Sequence, residues 1–229
     1  MRKESKPARC CLTAAGGPGN HTPMLLWAGL LLLALGFAAF AVDRRATHLF
    51  HDRISSRLFH HIRMTTDYAK GARWLILSIT LIALSWCARK IWGDISLLVR
   101  VFRASLGFLA CLAVASGVLH SIKLVVGRRR PRDEIEHQIY GFRLFHYDWQ
   151  HDSFPSGHAM TIFCVAVVLC GVFPTMAPLW LVLALYLALT RAVLNAHYLS
   201  DVFFGAAIGL LASRETILFL FPDLSQPWF

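Results

Sequence analysis

Hydrophobic and polar positions along this chain fall into long blocks, not into the alternation of strands or the narrow stripe of a soluble helix. An uncharged apolar run extends from Met24 to Val42. Its length of about nineteen residues, at about 1.5 Å each, reaches roughly 28 Å, close to the thickness of a bilayer core. Further apolar runs lie at about Trp74 to Ala88, Ala104 to Val126, Ala159 to Phe173, Leu179 to Leu194 and Val202 to Phe221. The second is short, but Arg73 and Arg89 frame it and can carry their charges outward on long stems. Pro174 and Pro178 mark the turn after the fourth run. Gly205 and Gly209 form a G-x-x-x-G pattern on the sixth, suited to close helix packing, and Arg214-Glu215 interrupts that run. The pattern predicts an all-α, polytopic membrane helical bundle with about six transmembrane helices.

Between the first two runs, Asp43 to Arg73 is amphipathic. Leu49, Phe50, Ile54, Leu58, Phe59 and Ile62 interleave with Arg53, Arg57, His60, His61 and Arg63, mostly at spacings of three and four. That fits an interfacial amphipathic helix with its basic face toward headgroups. Ala39-Phe40-Ala41 resembles a signal-peptide cleavage site, but the run and its leader are long for one, so a retained anchor is expected. The expected organisation is a polar tail over residues 1–23, N-terminal spans and the interfacial helix over 24–103, a catalytic core over 104–221 and a C-terminal tail over 222–229.

Composition supports a membrane protein. The 229 residues are 56% hydrophobic and only 16% charged, with a mean hydropathy of +0.53, too little polar surface for a soluble domain. The formal net charge of +10 gathers between the apolar runs, which suits anionic headgroups or a phosphorylated substrate. No nucleic-acid motif accompanies it, so nucleic acid is not expected as a partner. The six cysteines, Cys10, Cys11, Cys87, Cys111, Cys164 and Cys170, contain no C-x-x-C pair and read as neither a metal nor a redox site. Four of them fall in apolar runs, where cysteine behaves as a small hydrophobe. The Asn20-His21-Thr22 triplet matches a glycosylation pattern and nothing more.

Parity places the chemistry. Runs four and five return the chain to the side it left, so the connection between runs three and four shares a face with that between five and six. Charge does not assign that face to a side of the membrane. With the amino terminus inside, the basic residues are more numerous on the outer side, against the positive-inside rule.

Three polar groups gather on the shared face. The first is Lys123, followed after six residues by Arg130-Pro131; the second is Pro155-Ser156-Gly157-His158; the third is Thr190-Arg191, then His197 and Asp201. Each has a plainer reading alone. Gly127-Arg128-Arg129-Arg130 suits a juxtamembrane cluster touching headgroups, and His197 with Asp201 suits a surface i, i+4 pair. Arg191 is harder to set aside, because a guanidinium near the end of an apolar span needs an anion or a water-filled cavity. Taken together, Lys123, Arg130 and Arg191 supply three positive charges, and forked guanidinium groups match phosphate oxygens. Ser156 and the Gly157 N–H can add neutral donors. A histidine whose second ring nitrogen donates to a carboxylate can attack phosphorus, and Asp201 is one helical turn beyond His197. His158 would then protonate the leaving oxygen and activate water. No metal or other cofactor is required.

The strings Lys123-x6-Arg130-Pro131, Pro155-Ser156-Gly157-His158 and Thr190-Arg191-x5-His197-x3-Asp201 resemble the three signature motifs of the type-2 phosphatidic acid phosphatase superfamily, which also holds the vanadium haloperoxidases. The resemblance covers about residues 104–221. It implies a helical core, metal-independent hydrolysis of a phosphomonoester or diphosphate, His197 as nucleophile through a phosphohistidine, and His158 as acid. Thr190 stands where the family usually has serine; it keeps the hydroxyl but restricts its rotamer. The resemblance also implies an extracytoplasmic, periplasmic active site in a bacterial inner membrane.

A phosphate pocket at a membrane face implies a lipid phosphate as substrate. Family substrates include lipid A, undecaprenyl diphosphate, phosphatidylglycerophosphate and phosphatidic acid, and a bacterial glycolipid or isoprenoid lipid phosphate is favoured. Phe142, Phe145, Tyr147 and Trp149, beside Arg143, His146 and His151, can embrace a headgroup or anchor at the interface. The competing functions are a lipid phosphotransferase of the same fold and a non-catalytic phospholipid-binding membrane protein. Oligomeric state has no signature in the sequence.

Overall fold

A computed structural model describes residues 23–145 and 151–229. The N-terminal residues through 22, with Cys10, Cys11 and the Asn20 triplet, lie outside the described residues, as do His146, Tyr147 and Trp149. The expected first run is helix α1 (Met24–Ala39), which ends in a bend and is followed at 83° by α2 (Asp43–Arg53). The expected single amphipathic helix is therefore two: α3 (Ser56–Thr66) starts afresh because Ser55 turns extended and its hydroxyl accepts the Leu58 N–H as an N-cap. A single 3₁₀ turn over Asp67–Ala69 leads into α4 (Gly71–Trp92). Helix α4 stops at Gly93, whose φ of +79° suits a residue without a side chain.

Helix α5 (Ser96–Val125) starts earlier than the expected third span, and runs for 30 residues. The next connection, expected only as a polar loop, contains β1 (Val126–Arg128), paired antiparallel with β2 (Phe142–Leu144), and between them α6 (Pro131–His137). Then come α7 (Gly157–Val172), α8 (Ala177–Val193) and α9 (Leu199–Leu220). Arg214-Glu215 does not break α9: the two side chains pair, and Arg214 Nη2 donates 3.1 Å to the Phe229 carbonyl.

All six apolar runs are helical, but they are not six alike spans. Among the described residues, four helical stretches are long and apolar enough to cross a membrane alone, and a fifth if the bent α1–α2 pair is one span. Helix α7 is shorter and is walled in by α4, α5, α8 and α9, so most of its residues are buried. Lipid supplies little hydrophobic drive between helices, and close packing of small residues takes its place. A Cβ on Gly205 would stand 2.2 Å from the Ser156 carbonyl oxygen, and one on Gly209 would stand 2.3 Å from that of Met160. The G-x-x-x-G pair thus seats α9 against the first turn of α7. On the other side of α9, Gly29 and Gly36 of α1 receive Leu211 and Phe204.

Candidate active site

The three sequence motifs converge because backbone hydrogen bonds tie their ends together. Asn195 adopts the left-handed conformation with φ of 51°, which asparagine tolerates. It turns the chain so that the N–H groups of Ala196 and His197 both reach the Arg191 carbonyl, at 3.0 and 3.3 Å. The five residues between Arg191 and His197 are the length of that turn. Ser156 N–H donates 2.9 Å to the Asp201 carbonyl, docking the second motif on the third. Lys123 Nζ donates to Asp152 Oδ1 at 2.5 Å and to its carbonyl at 3.0 Å, docking the first on the approach to the second.

The result is one cavity of about 340 Å³ lined by Lys123, Arg130, Gly157, His158, Arg191 and His197, with Gly71, His120, Asp152 and Thr161 among its other walls. Parity of the spans holds in space. Arg130 and Arg191 each leave a buried Nε–H without an acceptor among the described residues. Unpaired buried donors of a cation are costly and call for an anion. The first-turn N–H groups of α7 have no intrahelical acceptor either, and nothing lies within 4 Å of where a Gly157 Cβ would be.

His197 is 5% exposed, and its Nδ1 lies 2.8 Å from the Ser153 carbonyl. A carbonyl only accepts, so Nδ1 carries the proton and Nε2 keeps its lone pair. Burial, then the Arg191, Arg130 and Lys123 cations, hold the imidazole well below the usual histidine range, against the opposing effect of the Ser153 bond.

Four expected roles change. The expected His197–Asp201 hydrogen bond is absent: Asp201 Oδ2 is 3.9 Å from Nδ1 and instead accepts the Ser153 hydroxyl at 2.6 Å and the Tyr198 N–H at 2.9 Å. Ser153 therefore stands between carboxylate and imidazole. Ser156 is fully buried off the cavity wall, with its hydroxyl facing the Ala159 N–H at 3.5 Å as the cap of α7. Thr190 is also off the wall; its hydroxyl donates 2.6 Å to the Leu187 carbonyl and meets Thr66 Oγ1 at 3.0 Å. Arg128, read as one of a surface cluster, is fully buried. Asp43 and Asp201 hold Arg128 inward at the end of β1, whereas Arg129 pairs with Asp133 at 3.6 Å and stays partly exposed.

Several residues went unnoticed in sequence. Asp152 pairs with Lys123 and lies 3.5 Å from Arg130, so it holds two of the expected phosphate cations. Thr66 Oγ1 accepts from Arg191 Nη1 at 3.4 Å, fixing that guanidinium from α3. Asp43 is fully buried and ion-paired to Arg128 at 2.8 Å. Asp43 and Thr66 are far from the motifs in sequence, and no spacing rule could have joined them.

A lipid A 1-phosphatase of Rhizobium etli is 30% identical over 141 residues, which is 52% of this chain and 61% of that protein. A lipid A 1-phosphatase of Rhizobium johnstonii is 33% identical over 112 residues, 48% of this chain and 46% of that one. The chain thus matches less than two thirds of the length of either relative. A PAP2-type phosphatidylglycerolphosphate phosphatase from Bacillus subtilis superposes with a TM-score of 0.55 at 21% identity, covering 85% of this chain and 93% of that one, a likeness of fold. The model of the PAP2 superfamily matches residues 104–223, from within α5 through α9 and every residue of the cavity except Gly71, and the chain belongs to that superfamily.

Proposed function

We propose that this protein is a metal-independent lipid phosphatase acting through a phosphohistidine on His197. The observation that carries the reading is one cavity that His158 and His197 share with three cations, two of them with unpaired buried donors among the described residues. Phosphate oxygens would take the Arg130 and Arg191 forks, Lys123 and the Gly157 N–H. Nε2 of His197 attacks phosphorus, and the bond from phosphorus to the lipid oxygen breaks as His158 gives that oxygen its proton. Water then attacks the phosphohistidine while His158 takes its proton, and phosphate leaves with His197 restored. The cations stabilise the charge that builds on the phosphoryl oxygens.

A cavity of about 340 Å³ is at the small end of ligand pockets. It takes the phosphate and its first attached atoms, with the tails left in the bilayer. The names of the Rhizobium relatives make lipid A carrying its 1-phosphate the first substrate to test, beside phosphatidylglycerolphosphate and an isoprenoid diphosphate. Family resemblance supports a cavity opening on the periplasmic face of a bacterial inner membrane. Reconstituted protein should release phosphate from one of these lipids in the presence of a chelator. His197→Ala should lower turnover by about 10³-fold or more. Unchanged turnover in that variant would exclude His197 as nucleophile, and a phosphorylated lipid product would show transfer in place of hydrolysis.

A further inference from the structure

Beneath the cavity lies a charge cluster that the proposed chemistry does not use. Arg128 is fully buried at the end of β1, boxed by the rings of Phe40, Tyr140, Phe142 and Tyr198 at 4.0 to 5.4 Å from Cζ to centroid. Its Nη1 donates to Asp201 Oδ1 at 2.5 Å and to Ser200 Oγ at 2.7 Å. Its Nη2 donates to Asp43 Oδ2 at 2.8 Å and to Tyr140 Oη at 2.9 Å. Asp43 in turn accepts the Ser200 N–H at 3.0 Å and its hydroxyl at 2.5 Å. One guanidinium is thus shared between two buried carboxylates. Asp201 belongs to the superfamily segment, whereas Asp43, the first residue of α2, lies outside residues 104–223.

We propose that Asp43 is a positioning residue for His197, acting through Arg128, Asp201 and Ser153. Resting on the reading of His197 as nucleophile, the inference follows the bonds. Arg128 holds one Asp201 oxygen; the other Asp201 oxygen holds the Ser153 hydroxyl; the Ser153 carbonyl holds His197 Nδ1–H. Arg128 also grips Ser153 through the backbone, since Ser153 N–H donates 3.0 Å to the Arg128 carbonyl. Without the Asp43 charge, Asp201 becomes the sole counter-ion of a desolvated guanidinium and is drawn toward it. Ser153 and the imidazole then lose their fixed orientation. The bend after α1 is what delivers Asp43 to this place.

The test uses the full chain in lipid nanodiscs. Asp43→Asn keeps the side-chain shape and should lower kcat about 10-fold or more, in the range of lost outer partners of catalytic ligands. KM should stay within about two-fold, because the cavity cations are untouched. Ring ¹⁵N spectra should show a single Nδ1–H tautomer of His197 in the parent and a mixture in the variant. Ser200→Ala removes one shared hydroxyl, should act in the same direction with a smaller effect, and carries the test where Asp43→Asn does not fold. In a Ser153→Ala background, which removes the hydroxyl that Asp201 holds but keeps the backbone bond to Arg128, Asp43→Asn should have a smaller effect than in the parent. Unchanged kcat and tautomer in folded variants, or additive effects in that background, would overturn the proposal. A parent that releases no phosphate but shows the tautomer change would sink the phosphatase reading and leave the positioning role standing.

Discussion

Replacing Gly205 by alanine separates packing from chemistry. The new Cβ would lie 2.2 Å from the Ser156 carbonyl oxygen, 3.1 Å from its carbonyl carbon and 3.2 Å from its nitrogen. Ordinary contact begins near 3.4 Å, so α9 and the start of α7 must part by about 1 Å. The neighbour is backbone and cannot rotate away as a side chain would. Overpacking of this kind costs about 1–3 kcal/mol. Because Ser156 and Gly157 open α7 and His158 follows, the same displacement moves the proposed acid relative to His197, and a 1 Å misplacement can cost about 10²-fold in rate. Gly209→Ala is the comparison: its Cβ meets the Met160 carbonyl at 2.3 Å, one turn further along α7, past the Gly157-His158 turn. The assay pairs thermal unfolding of both variants in nanodiscs with phosphate release from a lipid phosphate. The two should lose similar stability, and Gly205→Ala should lose about ten-fold more activity than Gly209→Ala. Equal activity losses, or full activity in Gly205→Ala, would refute the link from this contact to the catalytic geometry.

Three further outcomes follow from the site. His158→Ala should cost about 10²–10⁴-fold on alkyl phosphates, whose leaving oxygen needs a proton, and much less on activated aryl phosphates; comparing the two substrate classes checks its role as acid. The depressed His197 keeps that imidazole neutral as pH falls through the ordinary value of 6.5, so the acidic limb due to His197 in a pH–rate profile should lie below 6.5. Arg191→Ala removes a cation that repels the protonated ring, so it should move that limb upward, as measured with the same aryl phosphate in both proteins.

Much of this molecule is legible in its sequence. Block length against bilayer thickness determined the helical runs, and the parity of those runs put Lys123, Arg130, His158, Arg191 and His197 on one face. The G-x-x-x-G of Gly205 and Gly209 announced close packing, since only a missing side chain admits a backbone at that distance. These signals are local or periodic, and local sterics and hydration enforce them. What hydrogen-bonds to what is a different kind of fact. Asp201, one helical turn beyond His197, invited a direct bond, but the chain folds Ser153 between them. Ser156 and Thr190 carry hydroxyls of the right kind, yet helix capping and the Leu187 carbonyl claim them. Arg128 sits among three arginines that sequence cannot rank; the buried carboxylates of Asp201 and the distant Asp43 decide that this one is buried. The residues and their order determined the inventory of charges and spans. Tertiary structure alone decided their pairing, because a buried polar group must find its partner in space, wherever in the chain that partner lies.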